Sequence, residues 1–215
     1  MPTPPVAIHG GLPRDDMVLF IPQSATTVLD VGCSRGRFGA TLLLSRPSLR
    51  LFGIEPDRTT AAEAAGHYEQ VACGYFPDDL PDDRTFDCIV FNDVLEHVVD
   101  PWTMLEQAKG LLAPGGHIVA SIPNVRHYIV VRNLALRGRW DYADWGVLDR
   151  THLRFFTRAS IQDLFASAGM EIETLEPINP IAVRRAAFLV GPFRDMRYTQ
   201  FAVVARPRND TSPSS

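Results

Sequence analysis

The sequence predicts an α/β fold built on a doubly wound, mostly parallel sheet. Apolar, β-rich segments alternate with helix-like segments along most of the chain, and a glycine cluster directly follows the first strand. Apolar strands separated by helices indicate a parallel sheet that is covered on both faces. The chain has 215 residues, 46% of them hydrophobic, which is enough for one well-filled core.

The first half of the chain contains four predicted strands and two predicted helices. The strands cover 26–31, 49–55, 69–73 and 86–93. Pro47 ends the helix predicted over 37–46. The helix predicted over 57–68 is rich in alanine and begins at Asp57, an acidic N-cap.

The second half begins with the clearest helix start. Asp100 as N-cap and Pro101 at the first helical position predict a helix over 100–112. The APGG stretch at 113–116 predicts a turn before a strand at 117–123. A helix over 156–170 begins after Thr157 as cap and ends at Gly169, and strands at 171–178 and 197–207 follow it.

The chain divides into three parts. Residues 1–25 are predicted to form an N-terminal lid with a short amphipathic helix, residues 26–207 the main domain, and residues 208–215 a disordered, Pro/Ser-rich tail. A segment at about 123–156 interrupts the alternation and is predicted to be an inserted helical and aromatic cap. There is no signal-peptide pattern and no apolar run near 18 residues. Three separate cysteines without a zinc pattern favour a cytoplasmic protein that binds no metal.

The glycine turn predicts a nucleoside ligand at the end of the first strand. Gly32 and Gly36 leave the backbone bare there, and Glu55 ends the second strand about 20 residues later, where an acid can accept hydrogen bonds from ribose hydroxyls. The alternative is a tight turn without a ligand. Asp30 would repel a pyrophosphate but suits a cationic amino acid, so the pattern favours S-adenosylmethionine over a nicotinamide cofactor.

Four motifs in order resemble those of class I S-adenosylmethionine-dependent methyltransferases, specifically the small-molecule group that includes the quinone-biosynthesis enzymes. They are VLDVGCSRG, FGIEPD, FDCIVFNDVLEHVVDP and LLAPGGHIVASIPN. The resemblance covers roughly residues 26 to 205. It implies a Rossmann-like seven-stranded sheet of order 3-2-1-4-5-7-6, with the seventh strand antiparallel, and S-adenosylhomocysteine as the product of the cofactor.

The resemblance also implies which residues bind the cofactor: Asp30, Gly32, Cys33, Ser34, Gly36, Phe38, Glu55, Pro56, Gly74, Tyr75, Asn92, Asp93, Val94 and His97. Two positions depart from the family pattern. Ser34 replaces a frequent glycine, and its hydroxyl could contact the cofactor carboxylate. Tyr75 stands where an acid usually faces the adenine, so either it stacks on that ring or the alignment shifts by a few residues.

The cap resembles an insert found in methyltransferases that are encoded with surface-polysaccharide enzymes. A looser likeness links the chain to the methionine-biosynthesis W proteins. Residues 121 to 158 contain seven arginines and three aspartates, a net charge of +4 in a chain of net charge −4. This excess favours an anionic acceptor, although the arginines could simply face water. Trp140, Tyr142 and Trp145 either hold a sugar or aromatic acceptor or pack the cap onto the sheet.

The acceptor candidates are Asn124, His127, Tyr128, Trp145, Arg150 and Arg154. His152 is the predicted catalytic base, because histidine titrates near neutrality and an oxygen acceptor must lose a proton; the alternative is a histidine that stabilises the cap. His97 is predicted to orient the cofactor loop. Arg14 either contacts the methionine carboxylate or serves only on the surface.

The sequence therefore predicts a methyltransferase acting on an oxygen or nitrogen atom of a small, sugar-like or anionic metabolite. It predicts no nucleic-acid or membrane partner, and a monomer or homodimer. One alternative is a catalytically silent, methyltransferase-like partner protein. Nucleic-acid methylation is disfavoured because the loop after the fourth strand is NDVLEH and because the cap is the only basic surface.

Overall fold

The computed structural model describes residues 14–81, 84–180 and 190–208. These residues form a seven-stranded sheet of order β3-β2-β1-β4-β5-β7-β6. Strands β1 to β5 pair in parallel, and β7 lies antiparallel between β5 and β6. The predicted fold class and strand order are confirmed. The strands are β1 Thr27–Val31, β2 Arg50–Glu55, β3 Gln70–Cys73, β4 Phe86–Asn92, β5 Leu112–Pro123, β6 Met170–Pro180 and β7 Tyr198–Pro207.

The helices begin where the capping residues of the sequence predict. Asp57 accepts hydrogen bonds from the backbone of Thr59 and Thr60, and Thr157 forms a reciprocal capping box with Ser160. The helices are α1 Asp15–Val18, α2 Arg37–Ser45, α3 Arg58–Ala64, α4 Pro101–Gly110, α5 Tyr128–Arg137 and α6 Arg158–Ser167, with a 3-10 helix at Gly191–Arg197.

Two predicted boundaries were wrong. Helix α3 ends at Ala64 rather than at residue 68, because the chain turns before Gly66 and brings Tyr68 back towards the sheet. The separate turn at 113–116 is absent, and β5 runs continuously through it with an irregular register between Phe86 and Cys88 of β4. The short N-terminal helix that the sequence predicts is present as α1, which spans four residues. Residues 1–13, 82–83, 181–189 and 209–215 lie outside the described residues.

Both faces of the sheet are buried, which explains the near-continuous apolar strands. Leu29 and Val31 face one core with α4 and α6, whereas Val28 faces the other with α1, α2 and α3. This alternation follows the two-residue period of a β-strand. Burying each large apolar side chain contributes roughly 1.5–3 kcal/mol. None of the helices in the described ranges has the length and apolar composition needed to cross a bilayer.

The strand order changes direction between β1 and β4, and the cap docks onto the loop that follows β4. Ligands of open α/β sheets bind at the carboxyl ends of the strands at such a switch. The backbone N–H groups of Leu153 and Arg154 donate to the Glu96 carbonyl at 2.8 and 3.0 Å. The cap is therefore fixed by main-chain bonds to the loop that follows β4.

Candidate functional site

The turn after β1 requires glycine at two positions. Gly32 and Gly36 have φ values of +71° and +76°, in the left-handed region. A Cβ on Gly32 would lie 2.9 Å from Val94 Cγ2, and one on Gly36 would lie 3.0 Å from the Ala64 backbone. The turn is thus held close to α3 and to the loop after β4, with no room for side chains.

Glu55 lies buried beneath this turn. The Ser34 N–H donates to Glu55 Oε2 at 3.0 Å, and the Asp57 N–H donates to Oε1 at 2.9 Å. Burial raises the pKa of Glu55 despite these two bonds. A carboxylate has about four acceptor positions, and Thr60 also interacts with Glu55 through its side chain, so about one position remains for a ribose hydroxyl. The Glu55 carboxyl group is fully buried in this structure.

Asp30, at the end of β1, pairs with a tyrosine that the sequence analysis did not identify. Tyr68 Oη donates to Asp30 Oδ2 at 2.6 Å, and both side chains are buried. Burial raises the pKa of Asp30 to about 7, the tyrosine bond opposes this shift, and the nearby charge of Glu55 adds to it. The Tyr68 ring also packs over Gly39. The stretch GHYEQ carried no signal for this role, because only the tertiary fold places Tyr68 beside Asp30.

The loop after β4 begins with a network around Asp93. Asp93 has a φ of +55° and accepts hydrogen bonds from Ser121 Oγ at 3.0 Å and from Gln200 Nε2 at 2.7 Å. Arg14 donates to its other carboxylate oxygen, and the Arg14 side chain is only 11% exposed. Burial acts to lower the pKa of Arg14, but the charges of Asp93 and Asp16 raise it overall. Arg14 therefore has more than a surface role, and Ser121 and Gln200 are site neighbours that the sequence analysis missed.

Other predicted cofactor residues differ in their surroundings. Asn92 is partly buried, and its side-chain nitrogen and oxygen lack hydrogen-bond partners among the described residues. Cys33 and Phe38 are buried in the core that contains α2, and burial raises the pKa of the Cys33 thiol. Pro56 is half-buried beside Glu55.

The third motif is organised by an acid a few residues after the predicted position. Asp79 Oδ2 accepts a hydrogen bond from the Tyr75 N–H at 2.8 Å. A Cβ on Gly74 would lie 2.3 Å from the Asp79 Cβ, so the glycine permits this approach. The Tyr75 side chain is exposed.

Three side chains meet between the β4 loop and the cap: Glu96, His97 and His152. The rings of His97 and His152 pack edge to face with centroids 4.7 Å apart. His152 Nε2 lies 4.0 Å from Glu96 Oε1. Burial, followed by the nearby His97, lowers the pKa of His152, whereas burial raises the pKa of Glu96 well above its ordinary value. Glu96 is a further residue that the sequence analysis did not select.

Most predicted acceptor residues make contacts within the protein. Asn124 is buried and donates to the carbonyls of Asp195 and Tyr198, both at 3.0 Å. His127 is buried at the start of α5, and burial lowers its pKa. Arg150 pairs with Asp144 at the surface. Tyr128 packs against Met196. Arg154 donates a hydrogen bond to the Val99 carbonyl and lies over the Trp102 ring. Trp145 is 78% exposed.

The cap aromatics pack mainly on one another. Trp140 and Phe155 are in edge contact with centroids 5.1 Å apart, and Tyr142 and His152 also approach Phe155. This arrangement links the aromatic cluster to the histidines. The exposed indole of Trp145 stands apart from these described ring contacts.

The residues at this edge fit S-adenosylmethionine. Gly32 is only partly buried, while Asp30 and Glu55 provide buried carboxyl groups on adjacent strands. The side chain of Asn92 lacks a hydrogen-bond partner within the described part of the chain. Because buried polar groups are normally paired, this amide marks a place for a polar ligand.

Comparison with known proteins identifies the same type of domain. A family model described as a methyltransferase domain matches residues 13–175. The chain is 28% identical over 186 residues to the ubiquinone biosynthesis O-methyltransferase of Ralstonia nicotianae, covering 77% of this chain and 72% of that protein. It is 33% identical over 131 residues to an uncharacterized methyltransferase of a Mycobacterium species, covering 54% of this chain and only 50% of that protein.

Solved structures share the fold at low sequence identity. A chain of the complex between the Haloferax volcanii Trm112 methyltransferase activator and a methyltransferase gives a TM-score of 0.62 at 19% identity, covering 92% of this chain and 89% of that one. The O-methyltransferase NcsB1 was solved with S-adenosyl-L-homocysteine and 1,4-dihydroxy-2-naphthoic acid. It gives a TM-score of 0.57 at 19% identity, and the match covers 85% of this chain and 49% of that one.

Proposed function

The chain belongs to the class I S-adenosylmethionine-dependent methyltransferases, and from this premise we propose that it methylates an oxygen atom of a small metabolite. Bound S-adenosylmethionine supplies an electrophilic methyl group on a positively charged sulfur. Asp30, Gly32, Gly36 and Glu55 hold it, with the loop from Asn92 to His97 beside the reacting end. The protein aligns the acceptor and excludes water, which are its main contributions to such a displacement.

The position and protonation of His152 carry the choice of an oxygen acceptor. Its Nδ1 lies 3.2 Å from the Val147 carbonyl, which can only accept a hydrogen bond, so Nδ1 carries the hydrogen. Its Nε2 then has a lone pair that can take the proton of a hydroxyl group. The lowered pKa keeps the ring neutral near pH 7. The name of the Ralstonia relative, an O-methyltransferase, agrees with this choice.

The acceptor lies against the cap in this proposal. Phe155 and its aromatic neighbours form one wall, and Trp145 offers an exposed ring that can cover a planar or sugar-like acceptor. Arg126, Arg139 and Arg150 are already paired with Asp195, Asp141 and Asp144.

A catalytically silent partner protein is the second candidate. One structural neighbour comes from a complex with a methyltransferase activator, so this fold is compatible with a protein partner. The two candidates differ in turnover. Only the enzyme releases S-adenosylhomocysteine in proportion to an added acceptor.

Calorimetry with S-adenosylmethionine and S-adenosylhomocysteine tests the cofactor site first. We expect Glu55→Ala to weaken binding by about 1–3 kcal/mol, because a hydrogen-bonded contact to a charged group is lost. Glu106→Ala, on the exposed face of α4, is the matched control and should bind like the wild type. Equal affinities for Glu55→Ala and the wild type contradict the ribose role of Glu55.

Turnover is then measured with phenols, sugars, sugar phosphates and amines, using a deuterated methyl group to locate the product by mass spectrometry. Methylation at oxygen that is lost in His152→Gln, with cofactor affinity unchanged, is the expected outcome. A nitrogen-methylated product contradicts the oxygen assignment. Cofactor binding without turnover on any acceptor class favours the silent partner protein.

A further inference from the structure

Tyr68 is a buried titratable residue to which the proposed function gives no role. Its hydroxyl donates to Asp30 Oδ2 at 2.6 Å, and only 7% of its surface is exposed. Tyr68 lies between α3 and β3, whereas Asp30 belongs to β1. Because β2 separates β1 from β3 in the sheet, the phenol has to reach Asp30 across β2.

Three glycines make room for the Tyr68 ring, one in the first turn, one in α2 and one in β2. A Cβ on Gly36 would lie 3.0 Å from Tyr68 Cε2, and one on Gly39 would lie 2.4 Å from Cζ. A Cβ on Gly53, which pairs with Asp30 in the sheet, would lie 3.2 Å from Cδ1. The lack of side chains at these positions allows the close approach that brings the ring to the end of β1.

The backbone on both sides of Tyr68 is fixed by hydrogen bonds. The His67 N–H donates to the Ala64 carbonyl at 2.8 Å and closes the turn after α3. The Glu69 N–H donates to the Leu51 carbonyl at 2.8 Å, directly before β3 pairs with β2. The phenol is therefore held in position by the fold before any ligand binds.

Tyr68 is the group that favours the ionised form of Asp30. Burial and then the charge of Glu55 act to raise the pKa of Asp30, the Tyr68 hydrogen bond acts to lower it, and the resulting pKa is about 7. The other described groups that sense this carboxyl group are the buried thiols of Cys33 in the turn and Cys88 in β4. Burial, followed by the charge of Asp30, raises the pKa of Tyr68 well above its ordinary value, so the phenol remains a donor.

From this arrangement we propose that Tyr68 is a positioning residue for S-adenosylmethionine, whose hydroxyl holds Asp30 as the anionic partner of the cofactor's ammonium group. The inference rests on the proposed function, which assigns Asp30 to the cofactor. The Tyr68 hydroxyl uses one of about four acceptor positions of a carboxylate, so others remain for a ligand. A positive charge that arrives near Asp30 favours the ionised carboxylate further.

This role links cofactor binding to the loss of a proton from Asp30, with a definite sign. Below about pH 7 the carboxyl group of the free protein is mostly protonated, so binding has to displace that proton. The affinity for S-adenosylhomocysteine, which carries the same ammonium group, should rise with pH up to about 7 and then level off. In Tyr68→Phe the bond that lowers the pKa of Asp30 is lost, so the same rise should occur at higher pH.

The test is calorimetry of the wild type and Tyr68→Phe with S-adenosylhomocysteine, between about pH 5 and pH 9. Pairs of buffers with different ionisation enthalpies give the number of protons released. Phenylalanine keeps the ring between the glycines and removes only the hydroxyl. We expect the affinity of Tyr68→Phe at pH 7 to fall by about tenfold or more, the effect of one hydrogen bond to a charged group. Its proton release should persist to higher pH than that of the wild type.

Two ligand analogues test whether the effect belongs to the ammonium group. Methylthioadenosine lacks the amino-acid part, so it should bind Tyr68→Phe and the wild type equally and release no proton. Decarboxylated S-adenosylhomocysteine keeps the ammonium group and lacks the carboxylate, so it should keep the difference between the two proteins. Equal weakening of methylthioadenosine binding would mean that the hydroxyl only supports the turn, which overturns the proposal.

Tyr198→Phe is the matched control. It removes a phenolic hydroxyl in β7, which lies three strands from β1 in the sheet. This variant should bind S-adenosylhomocysteine like the wild type at every pH. A loss as large as that of Tyr68→Phe would contradict a specific role for the Tyr68 hydroxyl.

Failure of this proposal and failure of the proposed function give different results. Wild-type protein that binds S-adenosylhomocysteine, together with Tyr68→Phe that binds it equally tightly at pH 7, overturns the positioning role alone. Wild-type protein that does not bind S-adenosylhomocysteine contradicts the proposed function and the role of Tyr68 together. The expected loss in Tyr68→Phe supports the proposal whether or not an acceptor is methylated.

Discussion

Asp30→Asn should make the protein more stable at alkaline pH while weakening the cofactor site. The carboxyl group is buried, and its pKa in the folded protein is about 7, compared with 3.8 as the ordinary value. A raised pKa means that the folded state favours the protonated acid. The contribution of the protonated Asp30 carboxyl group to the free energy of unfolding is fully present below pH 3.8 and is lost as the pH rises to about 7.

The magnitude follows from the width of that window. Each pH unit between the two pKa values costs the folded protein about 1.4 kcal/mol. From pH 5 to pH 8 the free energy of unfolding of the wild type should therefore fall by about 3 kcal/mol more than that of Asp30→Asn. The asparagine keeps an oxygen that accepts the Tyr68 hydrogen bond, so the comparison isolates the ionisation.

The assay is urea unfolding of both proteins at pH 5 and pH 8, without cofactor. Asp87→Asn is the matched control on the next strand. Partial burial acts to raise the pKa of Asp87, but hydrogen bonds from Thr26 and Thr27 lower this pKa overall to about 2. Its stabilising effect is therefore present above pH 3.8 and lost only as the pH falls towards 2. Asp87→Asn should reduce stability equally at pH 5 and pH 8.

Parallel pH dependences for Asp30→Asn and the wild type would refute the reasoning, because Asp30 would then titrate alike in the folded and unfolded states. A second measurement is binding of S-adenosylhomocysteine at pH 8. We expect Asp30→Asn to bind more weakly although it is more stable, as is common where a site residue is kept in an unfavourable environment.

Four further predictions concern the turn, the cap and a helix start. Ser34→Gly should raise the free energy of unfolding by up to about 1 kcal/mol, because Ser34 has a φ of +47° and glycine removes that strain at some entropic cost; lower stability in urea unfolding would contradict it. Gly36→Ala should lower stability by about 1–2 kcal/mol or more, because alanine adds strain and contacts α3. Asn124→Ala should cost about 1–3 kcal/mol, since it leaves buried backbone groups unpaired; an unchanged unfolding midpoint would argue against that role. Thr157→Ala should cost about 1 kcal/mol by removing the cap of α6, and Thr157→Ser should retain most of it in thermal unfolding.

The sequence determined the fold, because its local signals agree with one another. Apolar strands, the caps at Asp57, Asp100 and Thr157, and the glycines of the first turn each act over a few residues. They were sufficient to predict the seven-stranded sheet through the family resemblance. The prediction failed where local propensity competes with tertiary contacts: at the end of α3, where Tyr68 turns to Asp30, and at 113–116, where the chain joins β5 beside β4.

The tertiary structure alone decided which side chains meet. Tyr68 is 38 residues from Asp30, and Ser121 and Gln200 reach Asp93 from two other strands. His152 was selected from its residue type, but its nearness to Glu96 depends on backbone bonds between the cap and the loop after β4. Sequence spacing reports neighbours along a strand or a helix. The cluster of Glu96, His97 and His152 spans separate segments, so it becomes visible only when the sheet order and the docked cap bring those segments together.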